Sequence, residues 1–309
     1  MPSLPFKQVD VFCYRPLQGN PLAVIALDHE PEAAWMQAVA AWTNLSETAF
    51  LLPPTTTEAS YRVRIFTPRR ELPFAGHPSV GAAHAALEFA RVSAESGRLI
   101  QECGAGLLPL TVEPGPDGPI ISVRAPTARI QPESWLESQS ESQSKPDQPG
   151  IADAALRSLL DAALAGLPLA ALGPCRIDNG PIWWTVEIAD AHALRRHRPD
   201  LAAIARLTEA TGTVGLAAFA DARDDDCDRV VRAWCPADGI PEDPVTGSVN
   251  ACIGARLLDA GRIGIGNRYI ASQGREVGRD GRVIVTAASD GIWVGGGAVT
   301  VIDGSLRPR

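Results

Sequence analysis

The feature that most constrains this chain is a pattern stated twice. In the first half, a strand-like run ending at Phe66 leads through Pro68 and a loop to Gly76-His77 and an alanine-rich helical stretch. In the second half, a run ending at Trp234 leads through Pro236 and a loop to Gly247-Ser248 and another helical stretch of small residues. Gly76 and Gly247 stand about half the chain apart. Recurrence at that period points to two similarly built units, each aiming a helix N-terminus at a shared cleft. Strand–glycine–helix turns are also common in unrelated folds, so the pattern alone leaves chance open.

Local periodicity fills in the frame. Alternation and β-branched content predict strands over residues 6–12, 22–27, 48–52, 61–66, 107–112, 120–124, 183–188 and 229–234. Two or three more close the chain, around Tyr269, over 283–286 and over 292–302. Helices are predicted over 32–43, 79–90, 153–165, 200–210 and 249–260. Asn44 stops the first and Gly261 the last, while Pro78 fits the opening helical position of the second. Residues 131–150 contain Ser138-Gln139-Ser140-Glu141-Ser142-Gln143-Ser144, a polar stretch unable to build a core and read as a linker or insertion.

Composition removes whole classes of function. The formal net charge is −8 and the pI near 5.2. Nucleic acid needs a basic footprint and anionic lipid attracts basic segments, so neither is an expected partner. No run of 18 or more apolar residues suggests a membrane span, and the first dozen residues lack a signal-peptide pattern. Cys13, Cys103, Cys175, Cys227, Cys235 and Cys252 form no C-x-x-C pair, so neither a metal site nor a redox motif is expected. A cytoplasmic protein with reduced thiols is the plain reading. The phosphate-binding glycine loops, the G-x-S-x-G elbow and H-E-x-x-H are all absent. Gly295-Gly296-Gly297 lies in a strand region and reads as close packing or a bulge.

Several residues then stand out. The first N–H groups of a helix are unpaired and its dipole is positive there, so Gly76 and Gly247 allow two helix starts to approach an anion. Each glycine is equally explained by a turn. Glu47 lies between a helix end and the apolar run Ala49-Phe50-Leu51-Leu52. Burial there would raise its pKa toward neutrality, where general acid/base work is efficient; a solvated glutamate is the simpler alternative. His77 reads as a donor to substrate, a proton relay or a helix-start residue. Asp243 precedes Pro244 in ordinary turn chemistry, and Ser248 fits an N-cap.

Taken in order, the segments name a family. Gly19-Asn20-Pro21-Leu22-Ala23-Val24, Asn44-Leu45-Ser46-Glu47-Thr48, Arg64-Ile65-Phe66-Thr67-Pro68, Glu71-Leu72-Pro73-Phe74-Ala75-Gly76-His77-Pro78, Asn179-Gly180-Pro181 and Glu242-Asp243-Pro244-Val245-Thr246-Gly247-Ser248 resemble the PhzF-like proteins of phenazine biosynthesis. These share the diaminopimelate-epimerase fold, and the resemblance spans nearly the whole chain. It implies an α+β protein of two pseudo-symmetric domains, each a mostly antiparallel curled sheet around a central helix. The first lobe would cover 1–126 and carry Glu47 and the Gly76-His77 loop. The second would cover 127–297 and carry the loop 243–248, with a last strand at about 298–309 returning to the first.

The resemblance further implies a homodimer and a cofactor-independent isomerase, similar to dihydro-3-hydroxyanthranilate isomerase. Such an enzyme moves a proton between carbons of a small carboxylate-bearing substrate held between the lobes. By position, Glu47, His77 and Asp243 would be the catalytic residues. Asn20, Gly76, Gly247 and Ser248 would bind the substrate, with no cofactor and no metal. Related epimerases carry a cysteine at each helix start; here those places hold Gly76-His77 and Gly247-Ser248, which argues against two-thiol racemisation. An amino-acid epimerase using Glu47 against Asp243 or His77, and a non-catalytic small-acid binder, remain as alternatives.

Overall fold

The computed structural model describes residues 3–131, 153–222 and 226–307. The first half runs β1 (Leu4–Val11), β2 (Asn20–Ala26), α1 (Ala33–Thr43), β3 (Glu47–Leu52), β4 (Tyr61–Phe66), β5 (Glu71–Leu72), α2 (Gly76–Glu88), β6 (Arg98–Cys103), β7 (Gly106–Glu113) and β8 (Ile120–Arg124). The second runs β9 (Arg129–Gln131), α3 (Asp153–Ala163), β10 (Cys175–Asp178), β11 (Ile182–Glu187), α4 (Ala191–Arg196), α5 (Leu201–Thr211), β12 (Gly215–Asp221), β13 (Arg229–Trp234), α6 (Gly247–Asp259), β14 (Arg268–Gln273), β15 (Gly281–Ala288), β16 (Gly291–Gly296) and β17 (Ala298–Leu306).

The duplication is visible in the pairing order. In the first half β1 pairs antiparallel with β2, β2 parallel with β3, β3 antiparallel with β4, β4 parallel with β6, then β6, β7 and β8 antiparallel. The series β10, β11, β12, β13, β14, β15, β16 repeats that alternation step for step. A parallel step needs a crossover, and helices supply each one. α1 lies between β2 and β3, and α4 with α5 between β11 and β12; α2 and α6 make the second crossover of each half. The halves are stitched by β8 against β16, and the last strand, β17, lies along β1 from Leu306 opposite Leu4 to Ala298 opposite Val11.

Burial follows from this wrapping. A helix enclosed on all sides must be apolar all round, and residues 76–86 of α2 are buried throughout. Its small side chains let strands close in: a Cβ at Gly81 would come within 2.6 Å of Leu22 and 2.8 Å of Val11. Gly254 does the same for α6 against Val285, at 2.8 Å. One core joins the inner faces of both halves, and separate clusters lie outside, under α1 in the first half and under α3, α4 and α5 in the second.

Four expectations are corrected. α2 starts at Gly76 and α6 at Gly247, earlier than their side-chain patterns indicate. Pro78 therefore sits third in α2, where its missing N–H still costs nothing because the first turn has no intrahelical acceptor. The N-cap of α6 is Thr246, so Ser248 lies inside the first turn. The terminal run breaks into β16 and β17 at Gly297, where a Cβ would collide with the ring of Tyr14. β5, β6, β9, β10, β12 and α4 are additional elements. β12, Gly-Leu-Ala-Ala-Phe-Ala-Asp, is buried from Gly215 to Ala220 and so shows no alternation. The polar stretch assigned to 131–150 lies outside the described residues beyond Gln131.

Candidate active site

The two crossover helices begin against each other. A Cβ built on Gly76 would lie 3.6 Å from the Cα of Gly247, and one built on Gly247 would lie 3.4 Å from the His77 nitrogen. The ring of Phe12, at the end of β1, closes in on Gly247 from below, with Cζ 3.4 Å from that same point. Two sets of first-turn N–H groups, and the positive ends of two dipoles, are thus concentrated at one place in an otherwise acidic protein.

Glu47 opens β3, directly after the α1 stop at Asn44, whose φ of 54° is the left-handed conformation that ends a helix. The short link through Leu45 and Ser46 delivers the carboxyl to the junction. Its Oε2 lies 3.4 Å from His77 Nε2. Both atoms are buried and neither makes a hydrogen bond. The side chains are 17% and 8% exposed. Buried polar atoms are nearly always paired, so two adjacent unpaired ones make this junction the candidate site.

Burial also sets their charge. It pushes the Glu47 carboxyl up to about 7, against a hydrogen bond from Ser46 that favours the ionised form. It drives His77 down to about 4, opposed by the nearby charge of Asp243. The imidazole is therefore neutral at physiological pH, and the carboxyl is poised between its two forms. Asp243 is raised by burial, against the hydrogen bonds and the histidine beside it. Cys235 is held up by burial and by the carboxylates of Asp243, Asp238 and Glu47, so it remains a thiol.

Asp243 reaches the junction from the second half and is held firmly. Thr246 Oγ1 donates to its Oδ2 at 2.6 Å and Asn20 Nδ2 donates to its Oδ1 at 3.1 Å. Behind it, Gln273 Nε2 donates to Thr246 Oγ1 at 2.8 Å and its Oε1 accepts from the Thr246 backbone at 3.0 Å. On the other flank Glu242 makes a bidentate pair with the buried Arg232, at 2.9 and 2.7 Å, and accepts from Trp234 Nε1 at 3.1 Å. Ser248 is also engaged: its Oγ accepts from Trp183 Nε1 at 3.1 Å and its carbonyl from Asn179 Nδ2 at 2.9 Å.

The structure brings together all seven residues singled out in the sequence: Glu47, His77, Asp243, Asn20, Gly76, Gly247 and Ser248. Sequence reasoning missed the frame around them, namely Thr246, Gln273, Arg232 and Trp183. Only Gln273-Gly274 carried a signal: Gly274 has φ +99°, and a Cβ there would overlap the Pro244 carbonyl, fixing the turn beneath the 243–246 loop. Cys252, one turn into α6, is buried with Sγ directed at the Ile177 carbonyl and packs rather than reacts. Among the described residues, no group of three or more His, Cys, Asp or Glu stands close enough to hold a metal ion.

The fold is a doubled α+β fold whose crossover helices meet beside two buried carboxyls, Glu47 and Asp243. The chain belongs to the PhzC-PhzF family, described as phenazine biosynthesis-like protein, whose profile matches residues 9–304. It is 31% identical over 97% of each chain to antisense-enhancing sequence 1 of Schizosaccharomyces pombe. It is 30% identical to the trans-2,3-dihydro-3-hydroxyanthranilate isomerase of Pseudomonas aeruginosa, covering 92% of this chain and 90% of the relative. Its structure superposes on a PhzF-family protein of Bacillus anthracis with a TM-score of 0.77 at 23% identity, covering 100% of both chains. The chain is an enzyme of an isomerase family.

Proposed function

We propose that the protein moves a proton between two carbons of a small carboxylate-bearing substrate, with Glu47 as the single acid/base. The reading is carried by the unpartnered pair, Glu47 Oε2 and His77 Nε2, buried 3.4 Å apart where the two helices start. The ionised Glu47 takes a proton from a carbon next to a carbonyl, carboxylate or alkene. The electron pair left behind delocalises into that group, and the protonated Glu47 returns the proton at a second carbon on the same face. No atom is gained or lost and no redox partner is required. First-turn N–H groups at Gly76 and Gly247 meet the substrate anion, and the neutral imidazole of His77 donates to the developing charge. A carboxyl near neutrality serves both halves of the cycle, since it is neither too weak a base nor too weak an acid.

The name of the Pseudomonas relative supplies the first compound to try. With trans-2,3-dihydro-3-hydroxyanthranilate and a panel of small ring acids in deuterated water, NMR follows label entering carbon positions. Wild type is expected to incorporate deuterium, and Glu47→Gln to do so about 10²–10⁴-fold more slowly. Equal incorporation by both would remove Glu47 from the mechanism. Label at a single amino-acid carbon with loss of optical activity would mark epimerisation, and tight binding without any exchange would mark a binding protein.

A further inference from the structure

Asn20 stands at the junction but is fully committed to the protein. It is 1% exposed. A side-chain amide has two N–H donors and one oxygen. The donors go to Asp243 Oδ1 at 3.1 Å and to the Val245 carbonyl at 2.8 Å, and the oxygen faces Ser46 Oγ at 3.4 Å. One side chain from the first half thus grips both ends of the 243–245 turn in the second, and is itself tethered by the residue next to Glu47. No amide hydrogen is left for a ligand.

The consequence for Asp243 is directional. Asn20 Nδ2 can only donate. The Thr246 hydroxyl, whose oxygen receives the Gln273 amide, turns its one proton to the ionised carboxylate and donates. Each carboxylate oxygen of Asp243 therefore has one lone pair taken by the frame. Any proton or substrate contact must use those that remain.

We propose that Asn20 is a positioning residue that sets the orientation and proton affinity of Asp243, and not a residue that contacts the substrate. It rests on the proposed function only in giving Asp243 a place at the reacting centre. The charged and titratable groups facing Asp243 are His77, Glu47 and Cys235, and the Asn20 hydrogen bonds go to Asp243, Val245 and Ser46 rather than to any of them.

The test is a carboxyl NMR titration of the whole chain with carbon-13-labelled aspartate, the Asp243 signal assigned by its loss in Asp243→Asn. Removing a donor removes stabilisation of the ionised form, so Asn20→Ala should raise the Asp243 midpoint by roughly one pH unit. Ser46→Ala, which loosens the tether, should raise it by less. Asn20→Ser keeps a polar group in the buried slot and serves if the alanine variant does not fold. A role in packing alone would lower the melting temperature and leave the midpoint in place. A role in ligand contact would also leave it in place, while weakening binding of the ring acid used as probe. Either result overturns the proposal. The titration needs no turnover, so it stands if Glu47 proves not to be the base, and it fails on its own if Asp243 does not move.

Discussion

The starts of α2 and α6 occupy equivalent places in the duplicated fold, yet they are furnished differently. At the α2 start the side chains are left unpaired: His77 and its neighbour Glu47 present buried atoms with no hydrogen-bond partner. At the α6 start most polar side chains are occupied, with Asn250 Oδ1 left without a partner. Ser248 is held by Trp183, Thr246 by Gln273, and Asp243 by Thr246 and Asn20. The same backbone device, a glycine at a helix start, stands beside unpartnered polar atoms in one half and beside a hydrogen-bonded frame in the other.

This contrast can be broken from either side. On the frame side, Arg232→Met removes the partner of a buried carboxylate. Arg232 and Glu242 are 5% and 8% exposed. Stranding one member of such a pair costs about 3–5 kcal/mol, so the variant should show a sharply lower denaturant midpoint. An unchanged midpoint would mean the 242–246 loop is not held as described.

On the unpartnered side the effect depends on pH. Folding raises the Glu47 pKa from near 4.5 to about 7, so the native state binds more protons than the unfolded chain between those values. Its stability is fully present below pH 4.5 and falls as pH rises through 7. Glu47→Gln cannot ionise. It should match wild type in acid and exceed it by up to about 3 kcal/mol at pH 8. Thermal denaturation of the two proteins across that range reads the difference, and parallel curves would refute the burial argument.

The smallest effect is expected at Ser248. Ser248→Ala forfeits one hydrogen bond from Trp183, worth about 1 kcal/mol, and should leave the titration of Glu47 unmoved. A displaced Glu47 midpoint in that variant would mean that the two helix starts are not functionally separate.

Much of this was legible in the chain because it depends on local signals. The duplicated Gly76 and Gly247, the helix stop at Asn44 and the exposure-independent motif around Glu47 all lie within a few residues of what they determine. The frame was not legible. Thr246 and Gln273 are joined by hydrogen bonds to the Gln273 side-chain amide across 27 positions, and Asn20 meets Asp243 across 223; no periodicity reports such pairs. β12 was hidden because a strand buried on both faces loses its alternation. The helix starts were set too late because Pro78 suits the first position, whereas contact between the two glycines determines where these helices begin.

The central claim is that burial at the meeting of two helix starts turns Glu47 into a group that both takes and returns a proton near neutrality. A site-resolved carboxyl titration of Glu47 in the unliganded protein, with glutamate labelled and Glu47→Gln as the assignment, measures it directly. The account predicts a midpoint near 7. A midpoint near the ordinary glutamate value of about 4.3 would contradict it.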